Sequence, residues 1–302
     1  MEVLDSRELC ARIGALIARS APRVEYYAAD IKRFKRSFSR QDVAVFRQAG
    51  YPVGDMELFY VIQRFCDDIG LTDMVSDAYM RDLYAAARKL SAAKFRENPY
   101  IQSVRVPTAA VGNFCLRTSF YRRGEILLWD MPDLAAEPVV PKLGFFTEDV
   151  VFPSIYEGDT PWMSVCPSEI FSMEASVAQA HGRVLVLGLG LGYYPFMIAE
   201  KETVTSITIV ERQPEVVRLF RDHLLGQFPH GDKIRIVTAD ALEYMDTVSP
   251  DMYDFCFADI WENHVDGAEA YVRLKPHERR LPHTEFAYWI EDPIRWYLEE
   301  NM

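Results

Sequence analysis

The stretch VLVLGLGLGYYPFMIA, Val184 to Ala199, constrains this chain more than any other. Four apolar residues run into glycines at 188, 190 and 192, and a second apolar run follows. A short buried strand that breaks into a glycine turn and re-enters as a helix opens a parallel α/β unit. The same texture continues downstream. Strand Ser206–Val210, helix Pro214–Leu225, strand Lys233–Thr238, helix Leu242–Met245 and strand Tyr253–Ala258 follow over short links. Strands alternating with helices predict a doubly wound parallel sheet, with ligands received at the carboxyl ends of its strands.

The turn itself excludes two ligands. A P-loop needs Lys and then Ser or Thr after its glycines, and Tyr193-Tyr194-Pro195 stands there instead. A dinucleotide fingerprint needs a glycine at its sixth position for close helix–strand packing, and that position is Tyr193. What remains is Gly188-x-Gly190-x-Gly192, either a tight turn without ligand or a backbone made for a nucleoside carrying an amino-acid tail. Acidic residues end the next three strands. Glu211 closes TSITIVE, where a carboxylate offers two acceptor oxygens to ribose hydroxyls or is simply a solvated charge. Asp240 is placed to accept from an adenine amino group, to cap the helix that follows, or both. Asp259 would orient an amine, act as a base, or cap the next segment.

With these residues in view, 182–302 resembles the class I S-adenosylmethionine-dependent methyltransferase superfamily, most strongly over 182–262. The resemblance implies a Rossmann-like sheet and S-adenosylmethionine as cofactor. It implies that Gly188, Gly190 and Gly192 flank the methionine part, Glu211 the ribose and Asp240 the adenine. It extends the cofactor set to Leu189, Arg212, Ala241 and Asp259. Within the superfamily the chain is most similar to the spermidine synthase branch. Val186 is apolar where many methyltransferases carry an acid, and Asp259-Ile-Trp-Glu262 resembles that branch's diamine-gripping Asp-x-x-Asp. Asp259 and Glu262 are the catalytic candidates on that basis. Three features depart from the branch: Leu191 stands where it has an Asp in the glycine loop, Glu262 replaces the second Asp, and the sheet looks cut short. After Asp259 the one strand candidate is Phe286–Ile290. The function so implied is methyl transfer to a small-molecule acceptor. The alternatives are aminopropyl transfer from decarboxylated S-adenosylmethionine, and a non-catalytic protein that binds the nucleoside or scaffolds a partner. An uncovered sheet edge would invite pairing with a second copy, so a homodimer is expected.

The rest of the 302 residues predicts two further parts. Residues 1–100 read as a helical N-terminal domain. Asp5-Ser6 would cap a helix bearing Leu9, Ile13, Leu16 and Ile17, and Ser39-Arg-Gln-Asp, Met56–Ile69 and Thr72–Phe95 mark others. Tyr26, Tyr27, Phe34, Phe38, Phe46 and Tyr51 read as core. Residues 101–181 alternate in short β-rich pieces punctuated by Pro107, Gly112 and Gly124, a small sheet or lid, and end in a helix that begins at Pro167-Ser168-Glu169. In related folds that helical segment, with Ser164, Ser168 and Glu169, approaches the methionine end of the cofactor.

A net charge of −12 argues against a nucleic-acid partner, even with Arg279-Arg280 as a local basic pair. No apolar run is long enough for a membrane span, and MEVLDSRELCARIG lacks the pattern of a secretory signal, so a cytoplasmic protein is expected. Cys10, Cys66, Cys115, Cys166 and Cys256 are scattered and form no metal motif, which reads as reduced core thiols. Cys166 sits before a helix start, where a dipole would activate it. His264, His277 and His283 lack the spacing of two ligands on a helix face and read as surface or capping residues, and no metal is expected.

Overall fold

The computed structural model describes residues 6–19, 40–51 and 55–301. Asp5, Tyr26, Tyr27, Phe34, Phe38 and Ser39 lie outside the described residues. In chain order the strands are β1 (Arg88–Leu90), β2 (Ala109–Val111), β3 (Phe114–Tyr121), β4 (Leu127–Asp130), β5 (Lys142–Phe146) and β6 (Val150–Glu157). They continue with β7 (Thr160–Ser164), β8 (Gly182–Leu187), β9 (Val204–Glu211), β10 (Ile234–Thr238), β11 (Phe255–Ala258) and β12 (Glu285–Tyr288). The chain divides into two compact units, Met1–Lys94 with Phe120–Val151 and Phe95–Ser119 with Phe152–Met302.

The first unit packs helices against a three-stranded sheet of order β1-β5-β4. Helix Ser6–Arg19 buries Leu9 and Ile13. Helix Met56–Asp68 starts where the Asp55 carboxylate accepts from the Glu57 and Leu58 N–H groups, and buries Phe59, Val61, Ile62 and Phe65. Phe46 and Tyr51 do join the core: Phe46 lies 4.6 Å from the Phe59 ring and Tyr51 5.5 Å from the Tyr84 ring. The long helix expected over Thr72–Phe95 is instead a helix over Asp77–Ala86, followed by β1 and a short helix Ala92–Arg96. At Ala87 the backbone turns extended, and β1 pairs in parallel with β5, a partner far along the chain that no local pattern announces. Pro99 likewise starts a helix, Pro99–Ser103, capped by Asn98.

The second unit carries the sheet that matters for function, five parallel strands in the order β10-β9-β8-β11-β12. Alternate residues face opposite sides. Val184, Val186, Ile207, Ile209, Phe255 and Phe257 pack with Tyr194, Phe196, Val217 and Phe220 from helices Tyr193–Ala199 and Pro214–His223. Leu185, Leu187, Val210, Cys256 and Ala258 pack with Met245, Tyr271, Leu274 and Ile294 from helices Ala241–Thr247, Gly267–Arg280 and Glu291–Asn301. Both faces are covered, so the central strands are mostly apolar in their carboxyl-terminal halves, as in 184–187 and Phe255–Ala258. The fold is α/β, a Rossmann-like doubly wound sheet. The strand expected near Phe286–Ile290 is β12, which lies parallel to β11 at the sheet's edge. β8 leads outward to β9 on one side and borders β11 on the other, so the switch in strand order falls beside the glycine turn.

An antiparallel sheet of order β2-β3-β6-β7 also belongs largely to this unit, and helix Pro167–Gln179 leads from it to β8. No helix among the described residues is long and apolar enough to cross a membrane.

Candidate functional site

Three backbone bonds stitch the strand ends together above the sheet. Gly188 N–H donates to the Val210 carbonyl (2.9 Å), Asp259 N–H to the Leu187 carbonyl (2.9 Å), and Ala239 N–H to the Glu211 carbonyl (3.1 Å). Gly188 has φ +101, and a Cβ there would lie 2.0 Å from the Asp259 carbonyl oxygen. Only glycine lets these two strand ends approach so closely. Gly190 lies under Met163 of β7, whose Sδ a Cβ would meet at 3.1 Å. Gly192 packs against Phe220. It has φ +74, a Cβ would fall 2.3 Å from the Phe220 ring, and it does not line the hollow described next.

At these strand ends opens a cavity of about 500 Å³, within the range typical of small-molecule sites. Of the residues singled out in the sequence, Gly188, Leu189, Gly190, Glu211, Arg212, Asp240, Ala241, Asp259 and Glu262 all line it. The β-rich segment contributes Pro161, Trp162 and Met163, helix Pro167–Gln179 contributes Glu169 and Met173, and Trp289 follows β12.

Glu211 is 5% exposed. Its Oε2 accepts the Leu189 N–H (3.1 Å) and its Oε1 the Gln213 N–H (2.8 Å). The Arg212 N–H adds a third backbone bond, and the carboxylate keeps acceptor capacity for a hydroxyl of a ligand. Burial pushes the Glu211 carboxyl upward, while the backbone bonds and the Arg212 charge pull against it. Asp240 caps helix Ala241–Thr247 through one oxygen, Oδ1, which accepts from Leu242 N–H (2.9 Å) and Glu243 N–H (3.1 Å). Oδ2 takes no bond among the described residues.

Asp259 and Glu169 are different in kind. Burial, and then the charge of Glu211, push the Asp259 carboxyl up to about 7. Burial, and then the charge of Asp259, push Glu169 up to about 8. Neither side chain is paired with a cation or a hydrogen-bond donor among the described residues. Glu262, by contrast, is exposed at the rim, where its N–H and that of Asn263 are held by Asp266 (2.9 and 2.7 Å). Among the described residues the lining holds six carboxylates (Glu169, Glu211, Asp240, Asp259, Glu262, Asp266) and one guanidinium, Arg212.

Tyr193 and Tyr194 both wall the cavity and pack. Tyr194 stacks on Phe257 with ring centres 3.9 Å apart and donates to the Ser176 carbonyl (3.2 Å). Tyr193 accepts from Asn98 Nδ2 (3.1 Å). Cys166 precedes the helix start, yet burial pushes its thiol up, away from a reactive thiolate. Met163 and Trp289 were beyond sequence reasoning, because neither carries a motif. Trp289 is fixed by its indole N–H, which donates to Ser172 Oγ (2.9 Å), and by the Trp261 indole, which donates to its carbonyl (3.2 Å).

No protein-family model matches the chain, and no curated protein matches it. Among solved structures it is similar to precorrin 8W decarboxylase of Methanobacterium thermoautotrophicum, at 18% identity over 40% of this chain and 61% of that chain, with a TM-score of 0.31. It is similar to a probable spermidine synthase of Corynebacterium glutamicum, at 20% identity over 36% of this chain and 44% of that chain, TM-score 0.31. It is also similar to the spermidine synthase of Thermotoga maritima, at 16% identity over 40% of this chain and 44% of that chain, TM-score 0.31. The match spans 44% to 61% of those chains' own length. Likenesses at this level decide nothing about this chain, and the α/β fold class stands on its own strand order and helix placement.

Proposed function

We propose that this protein binds S-adenosylmethionine in the cavity above β8, β9 and β11 and transfers its methyl group to a small-molecule acceptor. One observation carries the reading: a glycine turn at the switch in strand order opens onto a hollow with six carboxylates and a single Arg. A pyrophosphate would meet repulsion there, whereas an adenosyl sulfonium is a cation. The residues present fit such a ligand. Gly188 and Gly190 line the hollow with backbone, Glu211 keeps acceptor capacity for ribose hydroxyls, and Asp240 Oδ2 would accept from an adenine amino group.

When bound, the sulfonium supplies an activated methyl that an acceptor displaces in line. The chain's part is positioning and exclusion of water. Trp162, Met163 and Trp289 wall the cavity with apolar surface. Asp259, titrating near neutral pH, holds or takes the proton of an acceptor N–H or O–H at its carboxylate.

Calorimetry tests the reading with S-adenosylmethionine, its demethylated product and the decarboxylated form. Tight binding of the first two with methyl turnover on amine or hydroxyl acceptors is the expected result. Preference for the decarboxylated form would replace methyl transfer with aminopropyl transfer, and binding without turnover would leave a nucleoside-binding protein.

A further inference from the structure

The glycine turn has no acid of its own. Val186, Leu189 and Leu191 are 1%, 5% and 0% exposed and apolar, so nothing on β8 or its loop offers a charge to the ammonium of an amino-acid tail. A carboxylate reaches the same hollow from another element. Glu169 stands in the first turn of helix Pro167–Gln179 and lines the cavity together with Gly188, Gly190 and Asp259. Its neighbours do not satisfy it: Cys166 Sγ and Ser168 Oγ bond each other (3.2 Å). The nearby charge that acts on it is another acid, Asp259. A partly buried carboxylate beside a like charge, with no donor among the described residues, is an unfavourable arrangement unless a cation arrives.

We propose that Glu169 binds the α-ammonium group of the methionyl end of the cofactor, supplying from helix Pro167–Gln179 the charge that Val186 and Leu191 do not. The assignment rests on the S-adenosyl reading of the cavity. It divides labour between the two deep acids, with Glu169 on the cofactor tail and Asp259 on the acceptor. Because the ligand ammonium favours the ionised carboxylate, binding near neutral pH releases a proton from Glu169.

The experiment compares two ligands that share the adenosine and the sulfur and differ in the amino-acid end, S-adenosylhomocysteine and 5′-methylthioadenosine. Titration calorimetry on the full chain and on Glu169→Gln reads both. Loss of one charged hydrogen bond should weaken S-adenosylhomocysteine binding about 10-fold or more. Binding of 5′-methylthioadenosine should change less than about 2-fold, which also reports that the variant is folded. Titration in buffers of different ionisation enthalpy should show proton release for S-adenosylhomocysteine with the parent chain and less with Glu169→Gln. Equal losses for both ligands, or no loss for either, overturn the assignment. A parent chain that binds neither ligand overturns the S-adenosyl reading itself, and the assignment with it. Should Glu169→Gln fail to fold, Glu169→Asp keeps the charge one methylene short, and it should weaken S-adenosylhomocysteine alone; uniform weakening overturns the proposal.

Discussion

The two ends of the five-stranded sheet treat their acids in opposite ways. At the amino end, Asp254 precedes β11 and meets Arg183 of β8. The Arg183 guanidinium Nε and Nη2 donate to its two oxygens (3.0 and 2.8 Å), and the Arg183 backbone N–H adds a third bond (2.7 Å). Those bonds hold the Asp254 carboxyl down to about 2. At the carboxyl end of the same strands, Asp259 and Glu169 have no cation partner among the described residues, and burial pushes them up to about 7 and about 8. One end is closed on itself. The other holds acids whose ionised forms are disfavoured by their surroundings.

The largest effect that can break this contrast comes from the backbone. Gly188→Ala places a Cβ on the Asp259 carbonyl in a left-handed conformation, and strain plus overlap should destabilise by about 2–4 kcal/mol in chemical denaturation. Gly226→Ala, with nothing within 4 Å of its Cβ, is the control and should leave the midpoint unchanged. Next is Glu211→Ala, which strips the Leu189 and Gln213 N–H groups of their acceptor and should cost about 1–3 kcal/mol of nucleoside affinity. Unchanged affinity would remove Glu211 from the site.

Asp259→Asn sharpens the comparison with a pH dependence. Folded, Asp259 titrates near 7, against about 4 for an unfolded chain. Between those values the folded state holds a proton that the unfolded state has released, so stability falls as pH rises through the window. The variant should therefore gain about 1–3 kcal/mol over the parent chain at pH 8 and show little gain at pH 4. Equal gains at both would show that the carboxyl is not held up by its surroundings. The smallest effect belongs to the amino end. Asp254 has a depressed value, so its contribution is present above about pH 4 and is lost as pH falls toward 2. Because the pair is exposed, Arg183→Ala should move the midpoint less than any cavity variant does, and not at all near pH 2.

Much of the second unit was legible in the sequence. Strand and helix boundaries from Val184 to Ala258 agree with the pattern to within a few residues, because parallel strands buried on both faces are mostly apolar and their turns need glycine, Pro or a capping Asp. The first unit shows where such reading stops: β1 has no local signature, and pairing with β5 overrides the helical texture of Thr72–Phe95. The site divides the same way. Acids that end strands are placed by register and could be picked out in advance. Glu262 shares the Asp259 segment yet sits at the exposed rim, since Asp266 turns the backbone there.

By itself the sequence determined the alternation of strands and helices, the glycine turn, and the acids at three successive strand ends, all of which follow from short-range periodicity and backbone sterics. Only the tertiary structure decided that Met163 and Trp289 line the hollow beside that turn and that Gly192 packs against Phe220. These are contacts between residues distant in the chain, set by how sheets and helices stack, and no local pattern encodes which distant side chain fills the space.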